Sequence, residues 1–106
     1  MSAAAAQTGQ RLTYAATLER IVEHSAPATR SLFLRVPPAP AFAFRPGQFI
    51  SCLLPLGPEP AVRPYSIASD PEDPTLLEIC LNLVPGGAGS AYLFSLRPGE
   101  IGRAHV

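Results

Sequence analysis

Residues 75–84, Thr-Leu-Leu-Glu-Ile-Cys-Leu-Asn-Leu-Val (TLLEICLNLV), decide the fold. Leu77, Ile79, Leu81 and Leu83 fall on one side of an extended chain, and Glu78, Cys80 and Asn82 on the other. That period-two pattern is the signature of a half-buried strand. On its N-terminal side, DPEDP (70–74) is turn chemistry, and AVRPYSIAS (61–69) before it is a second strand candidate. Further upstream, FISCLLPL (49–56) is a nearly continuous apolar run closed by GPEP (57–60), while PPAPAFAFRPGQ (37–48) is too proline-rich for a central strand. TRSLFLRV (29–36) alternates Ser31/Phe33/Arg35 with Leu32/Leu34/Val36. RLTYAATLERIVEH (11–24) alternates through Leu12, Tyr14, Ala16 and Leu18, and the shift to Ile21-Val22 predicts a bend near Glu19-Arg20. Downstream of the opening stretch, PGGAGS (85–90) is a bend, and SAYLFSL (90–96) reads as a short helix with Ser90 as its N-cap, stopped by RPG (97–99). EIGRAHV (100–106) begins one more strand. Five strands, a late helix and an incomplete sixth strand predict an antiparallel barrel or sandwich with an unpaired edge.

The totals narrow the function classes. A chain of 106 residues is one domain or a piece of one. Eight basic and eight acidic residues leave no net charge, and no basic or aromatic stripe is present, so nucleic acid is set aside as a partner. No apolar stretch approaches the roughly 20 residues of a membrane span, and MSAAAAQTGQ (1–10) lacks the basic start of a signal peptide. Residues 1–9 are expected to be a disordered lead-in and 10–106 the domain. Cys52 and Cys80 are isolated, as are His24 and His105, so no metal site is expected. Both thiols are expected to serve as buried small hydrophobes in a reducing, cytoplasmic setting. The 13 prolines are spread between apolar runs and punctuate strands.

Two stretches carry chemistry. In Arg63-Pro64-Tyr65-Ser66 the arginine offers a planar fork for phosphate oxygens, the tyrosine a flat face for a ring, and the serine a short donor and acceptor. Pleating sets Arg63, Tyr65 and Ile67 on one face and Ser66 on the other, so a ligand would have to run along the strand's edge. Pro64 agrees with that, since a strand edge given to a ligand has no ladder bond to lose. The plainer reading of the same four residues is an edge strand with an exposed arginine and a half-buried tyrosine. In Pro85-Gly86-Gly87-Ala88-Gly89-Ser90 the glycines allow close approach to the backbone, and the helix start supplies free N–H groups to an anion. The alternative there is a flexible connector. A third stretch, Phe44-Arg45-Pro46-Gly47-Gln48-Phe49, has an ordinary turn explanation, and VPPAP (36–40) upstream can act as a polyproline ligand. Taken together, the arginine, the tyrosine and the glycine-rich helix start suit a dinucleotide with a flat redox-active head, with FAD as the candidate.

These motifs resemble the flavin-binding domain of the ferredoxin–NADP reductase superfamily. The R-x-Y-[ST] strand is RPYS (63–66), the P-G-Q-[FY] turn is PGQFI (46–50), G-x-x-S-x-x-L is GAGSAYL (87–93), and L-x-P-G-[DE] is LRPGE (96–100). They occur in family order and at about family spacing, from Arg11 to Glu100. The resemblance implies a six-stranded antiparallel Greek-key β-barrel with one helix, all-β in class, holding FAD rather than FMN at its rim. Arg63 and Pro64 would then belong to the cofactor strand, with Arg63 on the pyrophosphate. Tyr65 would cover the isoalloxazine, and Ser66 would hydrogen-bond near flavin N5, making these two the candidate catalytic residues. Gly87, Ala88, Gly89 and Ser90 would supply amides and a hydroxyl to the pyrophosphate, and Leu81 and Leu83 lie on the strand that lines the flavin. The sequence ends at IGRAHV (101–106), before the family's nicotinamide-binding domain and before the closing strand is complete, so NAD(P)H would act only through a domain or subunit not present here. The expected function is the flavin-binding part of an NAD(P)H-dependent oxidoreductase, passing electrons to an iron–sulfur, haem or flavodoxin partner. The alternatives are a non-catalytic flavin-holding subunit that docks such a partner, and a cofactor-free interaction module.

Overall fold

The computed structural model describes residues 13–26, 28–37, 44–45, 47–69 and 72–105. The expected lead-in, most of the proline-rich stretch and Pro46 lie outside the described residues. Six strands form: β1 (Thr13–Glu23), β2 (Thr29–Arg35), β3 (Phe49–Leu54), β4 (Ala61–Ser66), β5 (Leu76–Asn82) and β6 (Ile101–His105), with one helix, α1 (Ala88–Ser95), between β5 and β6. All pair antiparallel in one sheet of order β4-β3-β6-β1-β2-β5.

The alternation predicted from sequence sets the inner face. Leu32 and Leu34 of β2, Ile50, Cys52 and Leu54 of β3, and Leu77, Ile79 and Leu81 of β5 are buried together. β1 contributes Tyr14, Ala16 and Leu18, and then its inward parity changes. Leu18 pairs with Leu34 but Arg20 pairs with Phe33, so Glu19 is the extra residue of a bulge, at the predicted bend. Beyond it Ile21 packs against the core, and the Arg20 guanidinium lies 4.3 Å over the outward Phe33 ring. Arg35 holds the bulge from outside, donating through Nε and Nη2 to the two Glu19 carboxylate oxygens, both at 3.0 Å.

The sixth strand is short but is not the edge. β6 lies between β1, with which it pairs from Thr13 to Thr17, and β3, with which it pairs only over Ser51–Leu53. The free edges therefore fall on β4 and β5. These two edges touch at an isolated bridge, Ile67 to Ile79, and the contact continues through Ala68 and Ser69 to Glu78, so the sheet is joined there and split along the Arg63–Ser66 side. Helix α1 packs Leu93 into the core, with Tyr92 and Phe94 half-buried beside it. Arg30 of β2 holds the helix's end: its Nη1 donates to the Phe94 carbonyl at 2.8 Å and its guanidinium lies 4.6 Å over the Phe94 ring. A cation there satisfies a carbonyl that the helix leaves unpaired.

Three expectations are corrected. Gly87, not Ser90, is the helix N-cap, because Ser90 lies inside the first turn with its hydroxyl turned back to the loop. Cys80 is exposed, because it shares the outward parity of Glu78 and Asn82; only Cys52 is a buried thiol. The strand also ends at Asn82, so Leu83 is 40% exposed in the loop that follows.

Candidate functional site

The site is built on the split between β4 and β5. Ile67 turns both its backbone groups toward the Gly47–Gln48 turn: its N–H donates to the Gln48 carbonyl at 2.8 Å, and its carbonyl accepts from Gly47 N–H at 3.3 Å. An extended strand alternates those directions, so Val62, Pro64 and Ser66 turn their backbone groups toward the open side. Pro64, which has no N–H, thus stands where no partner strand is paired. The side chains alternate in the other sense. Tyr65 and Arg63 pair with the buried Ile50 and Cys52 of β3, which sets them on the inward face, while Ser66 pairs with the outward Phe49.

Carrying the Ile67–Ile79 register outward sets Tyr65 opposite Leu81 and Arg63 opposite Leu83. Four of the residues singled out from sequence therefore flank one gap in matched pairs. Leu81 faces the core at 6% exposure, and Leu83 stands at the mouth. Tyr65 is half-buried; burial raises its phenol above the ordinary value, the Cys52 thiol adds to this and Arg63 opposes it.

The glycine-rich loop meets the same gap. A methyl group at Gly89 would stand 3.3 Å from Arg63 Cγ, 3.6 Å from Arg63 Nε and 3.5 Å from Leu54 Cδ1, so the bare glycine lets the arginine lie close against the helix start without crowding. Gly86 makes the turn into it with φ +75°, a left-handed backbone that favours glycine. The first helical bond runs from Ala91 N–H to the Gly87 carbonyl at 3.1 Å. Among the described residues nothing takes the N–H groups of Ala88, Gly89 and Ser90. Arg63 donates only to its neighbour's carbonyl, Val62, at 3.0 Å, and no carboxylate among the described residues pairs with it. A guanidinium and three unpartnered amides side by side are the donor set of an oxyanion ligand.

Ser90 is placed differently from the sequence reading. Its hydroxyl accepts from Val84 N–H at 2.9 Å and donates to the Gly87 carbonyl at 3.3 Å, so it shapes the loop. The sequence reading also passed over Gln48. Its side-chain oxygen accepts from Arg45 N–H at 2.9 Å, and its carbonyl holds Ile67, so this turn sets the end of the Arg63–Ser66 strand. The P-G-Q pattern was visible, but its partner was not local.

The comparisons with known proteins bear on the family and the fold. The family described as an oxidoreductase FAD-binding domain matches residues 16–104. Ferredoxin–NADP reductase B of Sorangium cellulosum (strain So ce56) is 40% identical over 78 residues, which are 74% of this chain and 32% of that protein. The glycine betaine monooxygenase reductase subunit of Pseudomonas aeruginosa is 40% identical over 60 residues, 56% of this chain and 16% of that protein. The chain thus spans 32% or less of these curated relatives' length. Among solved structures, the Amycolatopsis cytochrome P450 reductase GcoB superposes with a TM-score of 0.74 at 30% identity, covering 90% of this chain and 28% of that one. A ferredoxin NADP+ reductase from Neisseria gonorrhoeae, solved with bound FAD and NADP, also gives 0.74, at 20% identity over 88% of this chain and 36% of that one, and speaks for the fold alone. The family match begins in β1 and ends in β6, so it takes in every strand and the helix that frame the Arg63–Gly89 contact. The chain belongs to the oxidoreductase FAD-binding domain family, within the ferredoxin–NADP reductase superfamily.

Proposed function

We propose that this chain is the flavin-holding part of an NAD(P)H-dependent reductase working in the cytoplasm, with residues 10–106 as the FAD-binding barrel and a nicotinamide-binding domain or subunit as its companion. The observation that carries the site is the packing of Arg63 on Gly89, which joins the strand motif to the helix start beside an open split. FAD would supply hydride acceptance and single-electron delivery; the protein supplies binding, orientation and tuning. Arg63 and the amides of Ala88, Gly89 and Ser90 hold the pyrophosphate, with the Gly87 cap fixing where those amides begin. Tyr65, half-buried, covers the ring, and Leu81 and Leu83 line the opposite wall. Ser66, on the outward face, presents its hydroxyl near flavin N5. The named relatives, reductases of oxygenase and cytochrome P450 systems among them, favour a one-electron iron–sulfur, haem or flavodoxin protein as the acceptor.

The test is FAD titration of the wild-type chain and Arg63→Ala, followed by the visible flavin absorption. The variant is expected to lose about 2–5 kcal/mol of FAD affinity, the scale for removing one member of a desolvated charged pair. Equal affinity for the two proteins removes Arg63 from the site, and a wild-type chain that takes up no flavin overturns the reading.

A further inference from the structure

The outward face of β2 and β5 carries a polar chain that the flavin site does not use. Ser31 is 0% exposed, although it points away from the core residues Leu32 and Leu34. Its Oγ donates to Glu78 Oε2 at 2.6 Å and lies 2.7 Å from His24 Nε2. A hydroxyl has one proton. With that proton given to the carboxylate, the imidazole must present an N–H at Nε2, so His24 donates to Ser31 and Ser31 to Glu78. This order excludes a hydrolytic reading: the imidazole is no base for the hydroxyl, and solvent does not reach the oxygen.

Glu78 is also the residue that closes the barrel. Its carbonyl accepts from Ala68 N–H at 2.7 Å, and its own N–H donates to Ser69 Oγ at 3.0 Å. Those bonds lie directly beside the Ile67–Ile79 bridge and extend the junction between the two edges. Its side chain is thus fixed from β2 while its backbone fixes the end of the strand that carries Tyr65 and Ser66. No salt bridge engages Glu78 among the described residues, so the Ser31 hydroxyl is the anchor the structure shows for its carboxylate. A hydrogen bond to an ionised acceptor is among the stronger kinds, and burial of Ser31 removes water as a competitor.

We infer that Glu78, anchored by Ser31 and backed by His24, is a positioning residue for the flavin: it fixes where the β4–β5 split begins, and so the separation of Arg63 and Tyr65 from Leu83 and Leu81. The inference rests on the FAD reading above. The test uses the whole chain loaded with FAD and the variants Ser31→Ala, Glu78→Ala and Glu78→Gln, read by visible circular dichroism of the flavin band and by FAD affinity. Ser31→Ala and Glu78→Ala are expected to alter the flavin dichroism and weaken FAD by about 10-fold, the effect of leaving one polar group unpaired. Glu78→Gln keeps an oxygen that accepts the Ser31 proton and is expected to retain both within about 2-fold. A role in stability alone would lower the melting temperature of all three without moving the dichroism. Wild-type dichroism and affinity in Ser31→Ala and Glu78→Ala overturn the inference while leaving the flavin reading intact; absence of FAD binding by the wild-type chain overturns the flavin reading itself.

Discussion

Gly89→Ala separates the stability of this fold from its function. The added methyl would meet Arg63 Cγ at 3.3 Å, closer than an ordinary contact, and Leu54 Cδ1 at 3.5 Å, an ordinary one. Arg63 is exposed and carries no ion pair among the described residues, so it can give way by rotating off the helix. Leu54 is in the core and stays. On the folding side, alanine for glycine in a helix gains up to about 1 kcal/mol, less in a first turn. Burying one methyl adds up to about 0.8 kcal/mol, and the crowding at Arg63 subtracts part of this. The apoprotein is therefore expected to be as stable as wild type or more so, by about 0.5–1 kcal/mol. On the binding side, the guanidinium is pushed from the three amides with which we propose it shares a ligand, and the close approach to the backbone is lost. FAD affinity is expected to fall by about 2 kcal/mol, some 30-fold, within the range for loosening a charge-assisted contact. Urea unfolding of the apoprotein and FAD titration give the two numbers on one preparation. An unchanged FAD affinity with raised stability would refute the claim that Arg63 and the helix start act on one ligand. A fall in both would show that Arg63 cannot move aside, and that the contact serves the fold.

Other perturbations probe the supports around the split. Ser90→Ala leaves Val84 N–H without its 2.9 Å partner and is expected to cost about 1–3 kcal/mol in urea unfolding; a loss below the measurement error would mean that water replaces the hydroxyl there. Arg30→Ala removes the 2.8 Å bond to the Phe94 carbonyl and the stacking on its ring, and about 1–2 kcal/mol of thermal stability should go with them. Arg30→Lys should recover only part, since lysine keeps the charge without the flat fork. Burial pushes the Cys52 thiol from its ordinary 9.0 up to about 11. A raised folded-state value means that folding favours the protonated thiol, so this contribution is complete below pH 9 and is lost between pH 9 and about 11. Stability measured across that window should fall by about 2–3 kcal/mol, with the buried Tyr14 and half-buried Tyr65 phenols acting in the same direction. Cys52→Ala should flatten the decline, and an equally steep decline in that variant would assign it to other groups.

What the sequence made legible was what alternation makes local. The inward faces of β2, β3 and β5 follow the written pattern, and the break in parity after Leu18 located the Glu19 bulge. Cys80 shows where a weaker signal was preferred to a stronger one: its residue type favours burial, but its place between Glu78 and Asn82 on the polar parity had already put it outside. Ser90 was assigned by capping preference, which cannot see that Val84 N–H, six residues back, competes for the same hydroxyl. The insertion of β6 between β1 and β3, and the grip of Gln48 on Ile67, depend on partners distant in sequence and leave no local trace. The placement of Pro64 joins both kinds of information. Its missing N–H says only that some bond is not made; the Ile67 contacts with Gly47 and Gln48 say on which side. Since that side faces the split, the proline removes a donor from the edge that β5 would need in order to zip closed beyond the Ile67–Ile79 bridge. The same residue that weakens the sheet there keeps Arg63, Tyr65 and the helix start open to a ligand.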